Sequence, residues 1–157
     1  MTRQRIILLV LAAAIAMVTG CSVHGGAYEA LTAAEVGERI QQAADLSGMK
    51  RGQAEQLRKL YHIETADVAD YVLYTALSNV KADELAIIKV KDTSGTGRVM
   101  DQIRQRIEEQ TVKFKDYRPE EYYLIEKHVL KSRGPFVIFA VSKDADLMEA
   151  AFDKMVK

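Results

Sequence analysis

The chain contains one cysteine, Cys21, so no intrachain disulfide can form and the fold must stand on its core alone. Its 22 Lys and Arg residues are matched by 22 Asp and Glu, and a chain without basic excess is a poor candidate for a nucleic-acid partner. Three histidines, His24, His62 and His128, are scattered without the spacing of a zinc site and without cysteine partners, so neither a metal nor another cofactor is expected. No Gly-x-Ser-x-Gly elbow occurs. A Walker loop is missing too, because Gly95-Thr96-Gly97-Arg98 lacks the required spacing to a Gly-Lys-Ser or Gly-Lys-Thr. The apolar run Ile6 to Val18 has thirteen residues, short of the roughly 20 that a spanning helix needs.

That run is nevertheless the most specific signal present. Arg3 and Arg5 form a positive n-region, Ile6 to Val18 an h-region, and small residues precede the cysteine, which together make an export signal. The tetrapeptide Val18-Thr19-Gly20-Cys21 resembles the lipobox of bacterial lipoproteins. The resemblance implies that a peptidase reads Val18, Thr19 and Gly20 and cuts before Cys21, whose thiol carries a diacylglyceryl group. The other reading is an ordinary cleaved secretory signal followed by a free thiol. Two or more acyl chains hold a protein stably on a bilayer, at about 0.8 kcal/mol per buried methylene. The mature chain is therefore expected to be tethered to membrane lipid through acylated Cys21, on the extracytoplasmic face of the cell membrane. Loss of residues 1–20 removes Arg3, Arg5 and no acid, leaving 20 basic and 22 acidic residues and a formal charge of −2.

Residues 21–31 then read as the lipidated cysteine and a short flexible tether with Gly25 and Gly26, His24 being a solvated linker residue. Residues 32–157 are enough for one domain with a real core. Thr32 and Glu35 have capping-box spacing before a helix over 33–44, and Val36, Ile40 and Ala43 recur on one face. Asp45 to Gly52 breaks the pattern, and a second short helix over 53–60 offers Leu57, Leu60 and Tyr61 for burial. Tyr61-His62 reads as a packed helix end.

From Val68 the period becomes alternating. Stretches 68–77 and 84–91 predict a hairpin, and Lys89 and Lys91 opposite Ala86, Ile88 and Val90 suggest a second strand near a sheet edge. Tyr71 and Tyr74 have opposite parity and cannot share a face. Asp92 to Gly97 caps a helix over 98–115, with an anion site at the Gly95 and Gly97 amides, assisted by Arg98, as the bolder alternative. Val99, Ile103 and Ile107 form that helix's buried stripe, and Arg104 and Glu108 stand at supporting spacing on its solvated surface. Pro119 with Glu120 and Glu121 opens a short helix over 119–126. Strands over 128–132 and 135–142 follow, turned at Arg133-Gly134, the second an unbroken apolar run that must be covered on both faces. Asp144 is expected to cap a last helix carrying Leu147, Met148, Ala151, Phe152 and Met155.

The predicted fold is α+β: an antiparallel sheet from two β-hairpins, each followed by a helix (ββα-ββα), preceded by two short helices that are the nearest cover for the doubly apolar strand. Residue-level similarity between the halves is weak.

The segments Leu57 to Ile63, Asp70-Tyr71, Glu84 to Asp92, Gln110 to Glu121 with Phe114, Tyr117 and Pro119, Arg133-Gly134 and Val141 to Ala145 resemble bacterial lipoproteins, mostly of Gram-positive organisms, that carry a domain of unknown function (DUF4358-like). The resemblance runs over Thr32 to Lys157 and implies location and fold, with no established activity or catalytic residues. His62 stands where the family's pattern has glycine. The expected role is a non-catalytic binding or assembly module that holds an envelope protein, peptide or other component with its sheet face or with Tyr71, Tyr74, Tyr122 and Tyr123. A small envelope enzyme with a spatially assembled site is the alternative, to be recognised by a pocket of converging acids or a histidine of shifted pKa.

Overall fold

The computed structural model describes Tyr28 and residues 30–157. Cys21, the Val18, Thr19 and Gly20 before it, and His24 lie outside the described residues. Among the described residues five α-helices and five strands follow in the order α1 (Ala33–Ala43), β1 (Met49–Arg51), α2 (Ala54–Tyr61), β2 (Val68–Ala76), β3 (Glu84–Val90), α3 (Thr96–Phe114), α4 (Pro119–Glu126), β4 (Val129–Arg133), β5 (Phe136–Val141) and α5 (Ala145–Met155). The strands form one sheet in the order β1-β2-β3-β5-β4, every pair antiparallel. The fold is thus the α+β arrangement of two hairpins, each followed by helix.

Local chemistry sets most boundaries. Thr32 accepts from the Glu35 amide while the Glu35 carboxylate accepts from the Thr32 amide, the reciprocal capping box that starts α1. Pro119 occupies the first turn of α4 with Glu120 and Glu121 beside it, where the missing N–H costs nothing and the acids meet the positive end of the dipole. Asp144 does not cap α5 with its side chain. Its carboxylate accepts instead from the Asp45 amide at 3.2 Å, pinning the end of α1 to the start of α5.

The stretch after α1 holds a strand that periodicity missed. β1 is only three residues long, too short for an alternating pattern, and it exists because β2 offers it an edge: Met49 lies opposite Ala76, Lys50 opposite Thr75 and Arg51 opposite Tyr74. That pairing also corrects the edge position expected for β3. With β2 on one side and β5 on the other, β3 is the central strand, and Lys89 sits at its far end, where it can reach out of the sheet to the Leu31 carbonyl at 2.8 Å.

Period-two alternation divides the core into two clusters. Val72, Leu85, Ile87, Phe136, Ile138 and Ala140 face α1 and α5, whereas Leu73, Ala86, Ile88, Val137, Phe139 and Val141 face α2, α3 and α4. β5 is therefore covered on both sides, and the two early helices share the task, α1 on one face and α2 on the other. The helices that follow the two hairpins also go to opposite faces, α3 to one and α5 to the other. A ββα unit repeated by a two-fold axis through the sheet would place them on the same face, so the repeat is one of element order only.

Strand direction gives the domain two poles. β5 runs from Phe136, where Tyr28 packs its ring at 6.4 Å between centroids and donates from its hydroxyl to the Lys157 carbonyl at 3.2 Å, to Val141 at the opposite end. Tyr28 lies within the stretch read as tether, yet it is half-buried. Its ring also fills the space a side chain at Gly134 would need, and Gly134 has φ +54°, so glycine is demanded there twice. Among the described residues no helix is long and apolar enough to cross a membrane.

Candidate functional site

The most concentrated chemistry lies between β3 and the helices α2 and α3, near the pole opposite Tyr28. Glu84 is 2% exposed although charged. It opens β3 with the parity of Ala86 and Ile88, so strand geometry directs its carboxylate into the α2–α3 layer. There it accepts from the Tyr61 hydroxyl, from Arg106 Nη2 at 2.9 Å and Nε at 3.1 Å, and from Gln110 Nε2 at 3.0 Å. Arg106 and Gln110 stand one turn apart on α3, which brings both to the same carboxylate. Burial, followed by the neighbouring Glu84 charge, raises the Tyr61 phenol well above its ordinary range. Burial alone would lower Arg106, but the hydrogen bond and charge of Glu84 outweigh it and the guanidinium pKa is raised.

A second carboxylate is buried nearby. Glu121, on the first turn of α4, accepts from Lys81 Nζ at 2.6 Å and from the Ala82 amide at 2.8 Å, tying α4 to the β2–β3 connection. The hydrogen bond and charge of Glu121 raise the Lys81 pKa. Asp83, half-buried beside them, has its carboxyl raised by burial and then by repulsion from Glu121. These groups border an open groove of about 420 Å³, whose walls include Lys50, Leu60, Leu77, Asp83, Glu84 and Lys113. Chemically the groove offers hydrogen-bonding groups, cations at the rim and two short apolar ledges.

The four candidate tyrosines do not share one surface. Tyr71 leans on the α2–α3 side of the sheet and Tyr74 on the α1–α5 side, as their parity requires. Tyr122 is half-buried against the α2–α3 core, while Tyr123 is exposed and lines a different groove with Lys127, Ser142 and Lys143. Tyr61 packs as expected for a helix end, but His62 does not: it is exposed and terminates α2 in the left-handed conformation at φ 55°, the geometry that favours glycine. His128 is half-buried before β4, its Nδ1 2.7 Å from the Ile125 carbonyl. The loop before α3 is a turn of 3-10 helix in which Asp92 accepts from the Ser94 amide, and Arg98 points to Asp67 at 3.6 Å, which fits the plain helix start. Arg104 pairs with Asp101 at 2.5 Å in place of the expected Glu108. Among the described residues no group of three or more His, Cys, Asp or Glu could hold a metal ion.

The Glu84 network was missed in the sequence, although a signal existed. Glu84 shares parity with three apolar residues, and Arg106 and Gln110 flank the stripe of Ile103, Ile107 and Phe114. A charged residue on the buried parity of a strand is the mark that could have found it.

These features define an α+β domain with helices on both faces of an antiparallel sheet and a polar groove at one end. A family model described as a domain of unknown function (DUF4358) matches residues 42–142, and the chain belongs to that family. The match contains the whole sheet with α2, α3 and α4. It stops short of the expected Thr32 to Lys157, leaving out α5 and nearly all of α1, the two helices that cover one face. No curated protein and no solved structure matches the chain.

Proposed function

We propose that this domain is a membrane-tethered, extracytoplasmic binding or assembly module, cut before Cys21, acylated on that cysteine, and holding an envelope protein or peptide at the pole away from Tyr28. What supports the reading is the separation of tether and exposed apolar surface. Among the described residues the large exposed hydrophobics are Leu77, Val112, Tyr117, Tyr123 and Leu147. Leu77 directly follows β2, Val112 lies in the last turn of α3, Tyr117 and Tyr123 flank or occupy α4, and Leu147 is in the first turn of α5. All five belong to segments at the end of the sheet opposite Tyr28. Seven peptide units from Cys21 to Tyr28 span at most about 25 Å. The docked pole would therefore lie close to lipid and the apolar end would face outward.

The test is photo-crosslinking of the anchored protein in its own cells from residue 77 or residue 123, with residue 132 near the tethered pole as control. Crosslinks to one envelope component from the first two positions, absent from the third, are expected. Equal labelling from all three, or failure of Cys21→Ala to abolish fatty-acid labelling, would defeat the proposal.

A small envelope enzyme is the second reading, favoured by Asp83, whose raised carboxyl borders the groove beside Glu84. Against it stands the bonding of both buried glutamates, Glu121 being engaged by two donors and Glu84 by three residues. Asp83→Asn separates the two readings, since a binding module should keep its crosslinked partner and an enzyme that uses this acid should lose turnover of whatever the groove takes.

A further inference from the structure

The sheet ends in two edge strands, and only one of them has its cations neutralised. On β4, Lys131 pairs with Glu149 and Asp153 of α5, both at 2.7 Å, and Arg133 approaches Asp153 at 3.7 Å. On β1, Lys50 and Arg51 are exposed and have no ion-pair partner among the described residues.

The backbone of β1 is open as well. The Leu77 amide donates to the Gly48 carbonyl at 3.0 Å and the Gly52 amide to the Leu73 carbonyl at 2.9 Å. In an antiparallel ladder bonded at positions 48 and 52, residue 50 also points its amide and carbonyl at β2, whereas residues 49 and 51 point theirs away. The Met49 amide is taken by the Leu46 carbonyl at 2.9 Å. The Arg51 N–H, the Arg51 carbonyl and the Met49 carbonyl are left to face outward, enough to form three hydrogen bonds with an added strand. A residue of that strand opposite Lys50 would stand over the groove lined by Lys50, Leu60, Leu77 and Lys113, and its neighbour would stand beside Arg51 and Tyr74.

We infer that the β1 edge accepts an extended acidic segment of a partner protein as a sixth strand, with consecutive Asp or Glu residues meeting Arg51 on one face and Lys50 on the other. Charge selects this occupant. A second copy of the chain paired through β1 would set Lys50 and Arg51 against themselves, and like charges directly opposite are destabilising in a sheet. This inference rests on the binding-module reading and adds the chemistry of its partner.

The probes are acetyl-Val-Asp-Glu-Val-amide and its counterpart acetyl-Val-Lys-Arg-Val-amide, titrated to millimolar concentration at low salt into isotopically labelled protein from residue 28 to the end, anchored form in parallel. The acidic peptide is expected to shift and protect the Arg51 amide, and the basic one to leave it unchanged. Arg51→Pro removes the outward N–H together with the Arg51 guanidinium, a backbone change an edge strand tolerates, and should abolish binding with the melting temperature kept. Should that variant unfold, Lys50→Glu with Arg51→Glu keeps the backbone and should weaken the acidic peptide about tenfold while admitting the basic one. No response of residues 49–51 to the acidic peptide, an equal response to both peptides, or a dimer that dissolves with Arg51→Pro would overturn the inference. Distal crosslinks in cells that persist in Arg51→Pro would overturn it while leaving the binding-module reading intact.

Discussion

Each face of the sheet carries a cluster of charged side chains, and the two clusters are built on different terms. On the α2–α3 side Glu84 is sealed from water and held by Tyr61, Arg106 and Gln110, so every oxygen has a donor. On the α1–α5 side Lys131, Glu149 and Asp153 stand at the rim, a third or so exposed, and Asp153 Oδ1 is buried with no hydrogen-bond partner among the described residues. Both clusters tie a helix to a strand. Water makes the difference: it screens the rim pairs and holds them to a small net contribution, whereas the buried carboxylate depends wholly on its protein partners.

The comparison can be broken most severely at Glu84. Glu84→Ala leaves the largely buried Arg106 guanidinium with only the half-exposed Glu109, at 3.6 Å, as counter-charge and should cost about 3–5 kcal/mol in urea unfolding, whereas Glu84→Leu combined with Arg106→Leu should recover much of that loss. A recovery no better than the single variant would mean that the network acts through packing alone. Next in size is Tyr61→Phe, which removes one donor to the carboxylate and should cost about 1–2 kcal/mol by the same measurement. Lys131→Ala on the other face should cost about 1 kcal/mol or less, and the loss should shrink further in high salt. Equal losses at Lys131 and Glu84 would dissolve the distinction between the clusters.

The smallest effect concerns pH. Asp83 has a folded-state pKa raised by burial and by Glu121, so folding binds its proton more tightly than the unfolded chain does. The resulting penalty is absent at low pH, sets in as pH rises through the ordinary aspartate value of about 4 toward the raised folded value, and is constant above it. Asp83→Asn should therefore raise the melting temperature near neutrality, with the gain vanishing on acidification. A gain that persists at low pH would point to a cause other than ionisation.

How much of this was legible in the sequence depended on how local the physics is. The capping box at Thr32 and Glu35, the proline start of α4 and the six apolar residues of β5 are each specified within a few residues, and the structure has all three. β1 was illegible because three residues carry no period and the strand exists only by pairing with β2. The central place of β3 was hidden by Lys89, since a lysine at a strand's end can leave the sheet without exposing a face. The docking of Tyr28 needs Gly134, Phe136 and Lys157 from the other end of the chain. The groove likewise draws on β1, β2, α2 and α3 at once.

Every element except β1, its place in the chain order and its buried face could be read from short windows of residues, because caps, turns and apolar periods act between near neighbours. Only the tertiary structure decided which strand is central, which helices cover which face, and that Glu84 meets Arg106 from 22 residues away. Those outcomes come from long-range pairing, where hydrogen bonds and burial between distant segments outweigh what any short window of residues prefers.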